Sequence, residues 1–173
     1  MAHPIIEQAA TELPEIGYHV EAVRASADQP AQLLIQLASP QEIEGRERWA
    51  LLTVFEDIGA NLVDAHLVQL FIGLNAPAGG AAGRADLARL IVACNNKIAV
   101  GQFAFREEDG LLYYRAVFML PKASAEWARL IDEHLIFATF QLDEFGPLID
   151  AVALGTQTLA EAFVSDPRLG TLA

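Results

Sequence analysis

Apolar residues at Ile5, Ile6, Ala9, Ala10, Leu13 and Ile16 recur at helical spacing, and Pro4 suits a first turn, so a helix is expected within residues 1–17, closed by Gly17. His19 to Ala25 alternates weakly as a strand. Gln32 to Ala38 alternates clearly, with Leu33, Ile35 and Leu37 on one side and a turn at Ala27 to Pro30 before it. Pro40 to Arg48 is polar and reads as a loop. Trp49 to Phe55 is apolar on both faces, as a central strand is. After a connection over Asp57 to Ala65, the stretch His66 to Asn75 sets Val68, Leu70, Ile72 and Leu74 against Leu67, Gln69, Phe71 and Gly73.

Ala76 to Gly83 is rich in Gly and Ala and reads as a loop. Helical spacing returns from Arg84 to about Ile98, with Leu87, Leu90, Ile91, Cys94 and Ile98 in one stripe and Gly101 ending the helix and opening the next strand. Gly101 to Arg106 and Leu111 to Leu120 flank Asp109-Gly110, a two-residue type I′ turn pattern that predicts a hairpin. Counting outward from that turn opposes Phe105 to Tyr114 and Phe103 to Ala116. One face then collects Phe103, Phe105, Leu112, Tyr114, Ala116, Phe118 and Leu120 as core. The other collects Gln102, Ala104, Arg106, Leu111, Tyr113, Arg115, Val117 and Met119, which suits either a partly wet interface or an ordinary exposed sheet face.

Ser124 is placed to cap a helix through Trp127, Leu130, Ile131, His134, Leu135, Ala138 and Leu142. Gly146-Pro147 predicts a break near Phe145, and a second helix is expected over Leu148 to Val164. The tail from Asp166 is expected to fray. The order is roughly α-β-β-β-β-α-β-β-α: an α+β fold, an antiparallel sheet with helices packed on one face, in a single domain over residues 1–173.

Length fits that picture, since single domains run to roughly 100 to 200 residues. With 11 Lys and Arg against 23 Asp and Glu, the net charge of -12 repels phosphate backbones, so nucleic acid is not an expected partner. Met-Ala-His-Pro lacks the basic start of a secretory leader and no apolar run reaches membrane-spanning length, which predicts a cytoplasmic protein without a membrane partner. Cys94, the single cysteine, excludes an intrachain disulfide and is expected as a small buried hydrophobe. An apolar content of 53% is high for a soluble chain and predicts surface hidden by association, with a homodimer as the expected form.

Reactive groups do not gather in recognisable motifs. His3, His19, His66 and His134 are far apart; Asp64 near His66 and Glu133 beside His134 match no ligand pattern, so neither a metal nor any other cofactor is expected. Ser26, Ser39, Ser124 and Ser165 sit in turn or cap contexts rather than a nucleophile elbow. Gly79 to Arg84 lacks the lysine and hydroxyl of a phosphate loop. The acidic runs Glu56-Asp57, Glu107-Glu108-Asp109 and Asp143-Glu144 point their side chains in different directions. No catalytic residue is therefore expected; an enzyme would need His66 or His134 to meet acids in a cleft.

Asn95-Asn96 at the end of the middle helix, Gly101-x-Phe103-x-Phe105 entering the hairpin, Asp109-Gly110 at its tip and Tyr114 to Pro121 leading to the last helix resemble the YbjN-type family, from about Trp49 to Phe163. That family has a fold similar to type III secretion chaperones and is often labelled a sensory transduction regulator. The resemblance implies a dimer-forming, chaperone-like or regulatory module that binds an unidentified polypeptide. The expected interface comprises Gln69, Phe71, Tyr113, Arg115, Val117 and Met119. The alternative is a sensor holding a small apolar ligand near Phe103, Tyr114 and Trp127.

Overall fold

A computed structural model describes residues 3–26, 29–37, 48–77 and 81–170. The expected Pro40 to Arg48 loop, apart from Arg48, and part of the Ala27 to Pro30 turn lie outside the described residues. Helix α1 (Pro4–Glu12) is followed by a tight 3₁₀ turn at Leu13–Ile16, then strands β1 (Val20–Val23), β2 (Gln32–Leu37) and β3 (Arg48–Val54). A single helical turn, α2 (Glu56–Gly59), leads to β4 (Ala65–Pro77), helix α3 (Ala81–Asn95) and the hairpin β5 (Gln102–Phe105) and β6 (Leu111–Pro121). Helices α4 (Trp127–Ala153) and α5 (Leu159–Ser165) and a last turn at Pro167–Leu169 complete the chain. The six strands form one sheet in the order β1-β2-β3-β4-β6-β5, and the fold is α+β as the pattern indicates. No helix among the described residues is long and apolar enough to cross a membrane.

Packing divides the chain into two compact units: Met1–Ile72 with Ala116–Thr139, and Gly73–Arg115 with Phe140–Ala173. In the first unit, β2, β3 and β4 align their apolar positions in rows. Leu33 opposes Leu52, which opposes Leu70; Ile35 opposes Ala50, which opposes Ile72. The small Ala50 stands between two isoleucines in the second row, and all six are fully buried. Each such large side chain contributes roughly 1.5 to 3 kcal/mol. Helix α1 buries Ile5, Ile6 and Ala9, and the following Leu13 is buried as well. Pro14, lacking an N–H, ends the α-helical ladder and begins the 3₁₀ turn, which Gly17 closes with a left-handed φ of 104°.

In the second unit the hairpin exists, but its register differs from that expected. Phe103 opposes Tyr114 and Phe105 opposes Leu112, and the Arg106 N–H donates to the Leu111 carbonyl at 2.9 Å. The loop is thus Glu107 to Gly110 rather than a two-residue turn. A type I′ turn needs a positive φ at both central residues, whereas Asp109 has none and only Gly110 does, at 70°. The Gly110 N–H instead donates to the Arg106 carbonyl at 2.8 Å, and Asp109 accepts from Arg106 and from the Leu111 N–H. The shift is two residues, so each side chain keeps its face: Phe103, Leu112, Tyr114, Ala116, Phe118 and Leu120 are buried. Phe105 is only half-buried.

Asn95, at the end of α3, uses both ends of its amide on the β5 backbone: it donates to the Phe103 carbonyl at 2.9 Å and accepts from the Phe103 N–H at 2.8 Å. β5 is the last strand of the sheet, so this side chain supplies the bonds that a further strand would make there.

Three expectations are corrected. Of the expected Ala76 to Gly83 loop, Ala76 and Pro77 belong to β4 and Ala81 to Gly83 to α3, and the rest lies outside the described residues. Gly146-Pro147 does not break α4, which is continuous from Trp127 to Ala153 with Pro147 inside it. A proline in a helix interior costs about 3 kcal/mol, while α4 buries Leu142, Phe145, Ile149 and Val152 in succession around it, a larger total. Gly146 also has no Cβ to meet the proline ring. The chain turns after Ala153, at Gly155 with φ 72°, and α5 restarts on a capping box of Thr158 and Glu161. The third concerns the tail, whose described residues include a 3₁₀ turn at Pro167–Leu169. Leu169 is buried, Arg168 pairs with Asp166 at 2.7 Å and with Glu144, and its guanidinium lies 5.2 Å from the Phe145 ring.

Candidate functional site

The expected interface residues stand on the sides of β4 and β6 away from the core. In β4, Gln69 and Phe71 alternate with the buried Val68, Leu70 and Ile72; Gln69 opposes Thr53 and Phe71 opposes Leu51. Both are half-buried and line a groove of about 860 Å³ with Gln32, Leu51, Thr53 and Ile58 among its other walls. Within it, Gln32 Nε2 donates to Thr53 Oγ1 at 2.9 Å, which satisfies the hydroxyl of a residue only 5% exposed. Val117 and Met119 are not part of that groove's lining. They alternate with the buried Ala116, Phe118 and Leu120 and are themselves exposed. Tyr113 and Arg115, in the second unit, are half-buried on the same side of β6.

Sequence reasoning missed a second exposed apolar group in the first unit. Ile136 and Phe137 of α4 lie outside the buried stripe of Ile131, Leu135 and Ala138. Ile136 lines a further cleft of about 420 Å³ with Ile16, Tyr18, Gln36 and Asp132, where the Tyr18 hydroxyl donates to Asp132 Oδ1 at 2.8 Å. Burial and that bond raise the Tyr18 pKa, keeping the phenol protonated. Helical spacing held the information, because Ile136 and Phe137 fall off the stripe that the other apolar positions trace.

Of the aromatics suggested for a small-ligand pocket, Phe103 and Tyr114 belong to the second unit and Trp127 to the first. Phe103 meets Tyr114 edge to face at 5.4 Å and Phe145 at 6.4 Å, and both hairpin rings are buried. Trp127 packs on His66 at 5.7 Å and donates its indole N–H to the Pro121 carbonyl at 2.6 Å.

Two histidines do converge. His3 and His66 stand edge to face at 4.7 Å in a cleft of about 390 Å³ that Glu56 and Lys122 also line. His134 stacks on Phe118 at 3.7 Å, and burial lowers its pKa. Among the described residues no group of three or more His, Cys, Asp or Glu side chains could hold a metal ion. Cys94 is fully buried, and burial pushes its thiol up to about 12. Compared with models of protein families and with curated proteins, the chain finds no significant match.

Proposed function

We propose that this chain is a non-enzymatic polypeptide-binding module that works as a homodimer, in a chaperone-like or adaptor role of the kind the YbjN-type resemblance implies. The observation that carries the reading is the set of large apolar side chains left exposed in the first unit. Met119 is 64% exposed, Ile136 57%, Phe137 51% and Val117 41%, in a chain that is 53% apolar. Scattered single apolar residues are normal on a surface, but neighbouring large ones, Val117 with Met119 on β6 and Ile136 with Phe137 on α4, each suit a place where a partner docks. The net charge of -12 supports a partner that carries basic groups around an apolar centre.

Light scattering at micromolar concentration is expected to give a dimer, and Met119→Glu, which places a charge in the interface, is expected to give a monomer with unchanged circular dichroism. A wild-type protein that is monomeric and purifies without any bound polypeptide would overturn the proposal.

A further inference from the structure

His3 caps α1 with its imidazole: Nδ1 accepts the Ile5 N–H at 3.2 Å, and the residue has the extended backbone of an N-cap. A ring nitrogen accepts only while it is unprotonated, so this bond holds His3 neutral with its proton on Nε2. Protonating Nδ1 would turn the cap into a second donor aimed at the amide it serves. It would also put positive charge at a helix N-terminus, where the backbone dipole opposes it.

His66 adds a neighbour of the same kind, its ring centroid 4.7 Å from that of His3. The other charged groups around the pair are Glu56 of α2 and Lys122 following β6, both in the wall of the cleft, and Glu7 in the first turn of α1. From α4 comes the uncharged Trp127, whose ring is 5.7 Å from that of His66. Burial lowers the His3 pKa, with Glu56 acting the other way, and burial, then His3, then Lys122 lower that of His66.

We propose that the His3–His66 pair is an acid-operated latch for α1: protonating it withdraws the cap and lets the helix open from the strands β1, β2 and β3 against which it packs. Opening uncovers Ile5, Ile6 and Ala9, all buried when the latch is closed. The mechanism does not depend on the polypeptide-binding reading, and it stands or falls by itself.

Hydrogen exchange of the α1 amides, corrected for the pH dependence of intrinsic exchange, tests it between about pH 7.5 and about pH 5.5, the range in which histidine titrates. The wild type is expected to lose about five-fold more protection in α1 than in β3 on acidification, the size of a lost N-cap. His3→Asn supplies a cap acceptor that does not titrate and is expected to remove the excess loss in α1, leaving α1 and β3 to change alike. No excess loss in α1 over β3 in the wild type, or an undiminished excess in His3→Asn, would overturn the latch. Should the variant not fold, ¹⁵N NMR of the wild-type ring nitrogens decides. Nδ1 of His3 bare near neutrality and protonated in step with α1 exchange supports the latch, and Nδ1 protonated near neutrality refutes it.

Discussion

Gly101 has a left-handed φ of 76°, and a Cβ there would fall 2.4 Å from the Tyr114 hydroxyl oxygen and 2.9 Å from the Arg115 carbonyl. The tyrosine cannot move aside, because its ring is buried and its hydroxyl donates to the Val100 carbonyl at 2.6 Å; burial pushes its pKa up to about 12. Gly101→Ala is therefore expected to cost about 2 to 5 kcal/mol: about 1 to 2 for the left-handed backbone and about 1 to 3 for overpacking. The midpoint of urea unfolding reads this directly. A glycine opening a strand was legible in the sequence; that its missing side chain is filled by a tyrosine from the facing strand was not. Cys94 is the opposite case, since its place in an apolar helical stripe sufficed to expect burial, and it is buried.

Among the elements, α4 shows where local rules yield to packing. Gly146-Pro147 is a sound reason to expect a break, yet the helix continues, because ending it would expose the buried run that includes Phe145, Ile149 and Val152. Pro147 is solvent-exposed and contributes no core packing. Pro147→Ala is therefore expected to stabilise the protein by about 2 kcal/mol, the roughly 3 kcal/mol of a helix-interior proline less about 1 for the stiffness it gives the unfolded chain. Thermal unfolding should show the midpoint rising by roughly 4 to 8 °C, and a fall would show that α4 needs the proline. In the hairpin the strands and their faces were legible because period-two alternation survives a two-residue slip. The register was not, because the turn type depends on the φ of Asp109, and the Arg106–Asp109 pairing selects the longer loop.

For the whole molecule, the histidines set the response to acid. Burial is the first cause of the lowered pKa of His3, His66 and His134. The unfolded chain, with ordinary histidines near about 6.5, thus binds more protons than the folded one below that pH, so stability falls as pH drops through about 6.5. The carboxylates whose pKa is lowered, Asp109, Glu161 and Asp166, act in the same sense, but only below the ordinary carboxylate range of about 4. A lower unfolding midpoint near pH 5.5 than near pH 7.5 is expected in calorimetry, and an equal one would contradict these burials.

The sequence alone determined the class of fold, the order of its elements and most of the core, because the alternation of apolar positions is a local property that any folded arrangement of these strands and helices must satisfy. It also placed Gln69, Phe71, Val117 and Met119 on the sides of their strands away from the core, for the same reason of parity. Tertiary structure alone decided the hairpin register, the unbroken α4 and the meeting of His3 with His66. Each depends on free energy from contacts between residues distant along the chain, which outweighs or adds to what neighbouring residues prescribe.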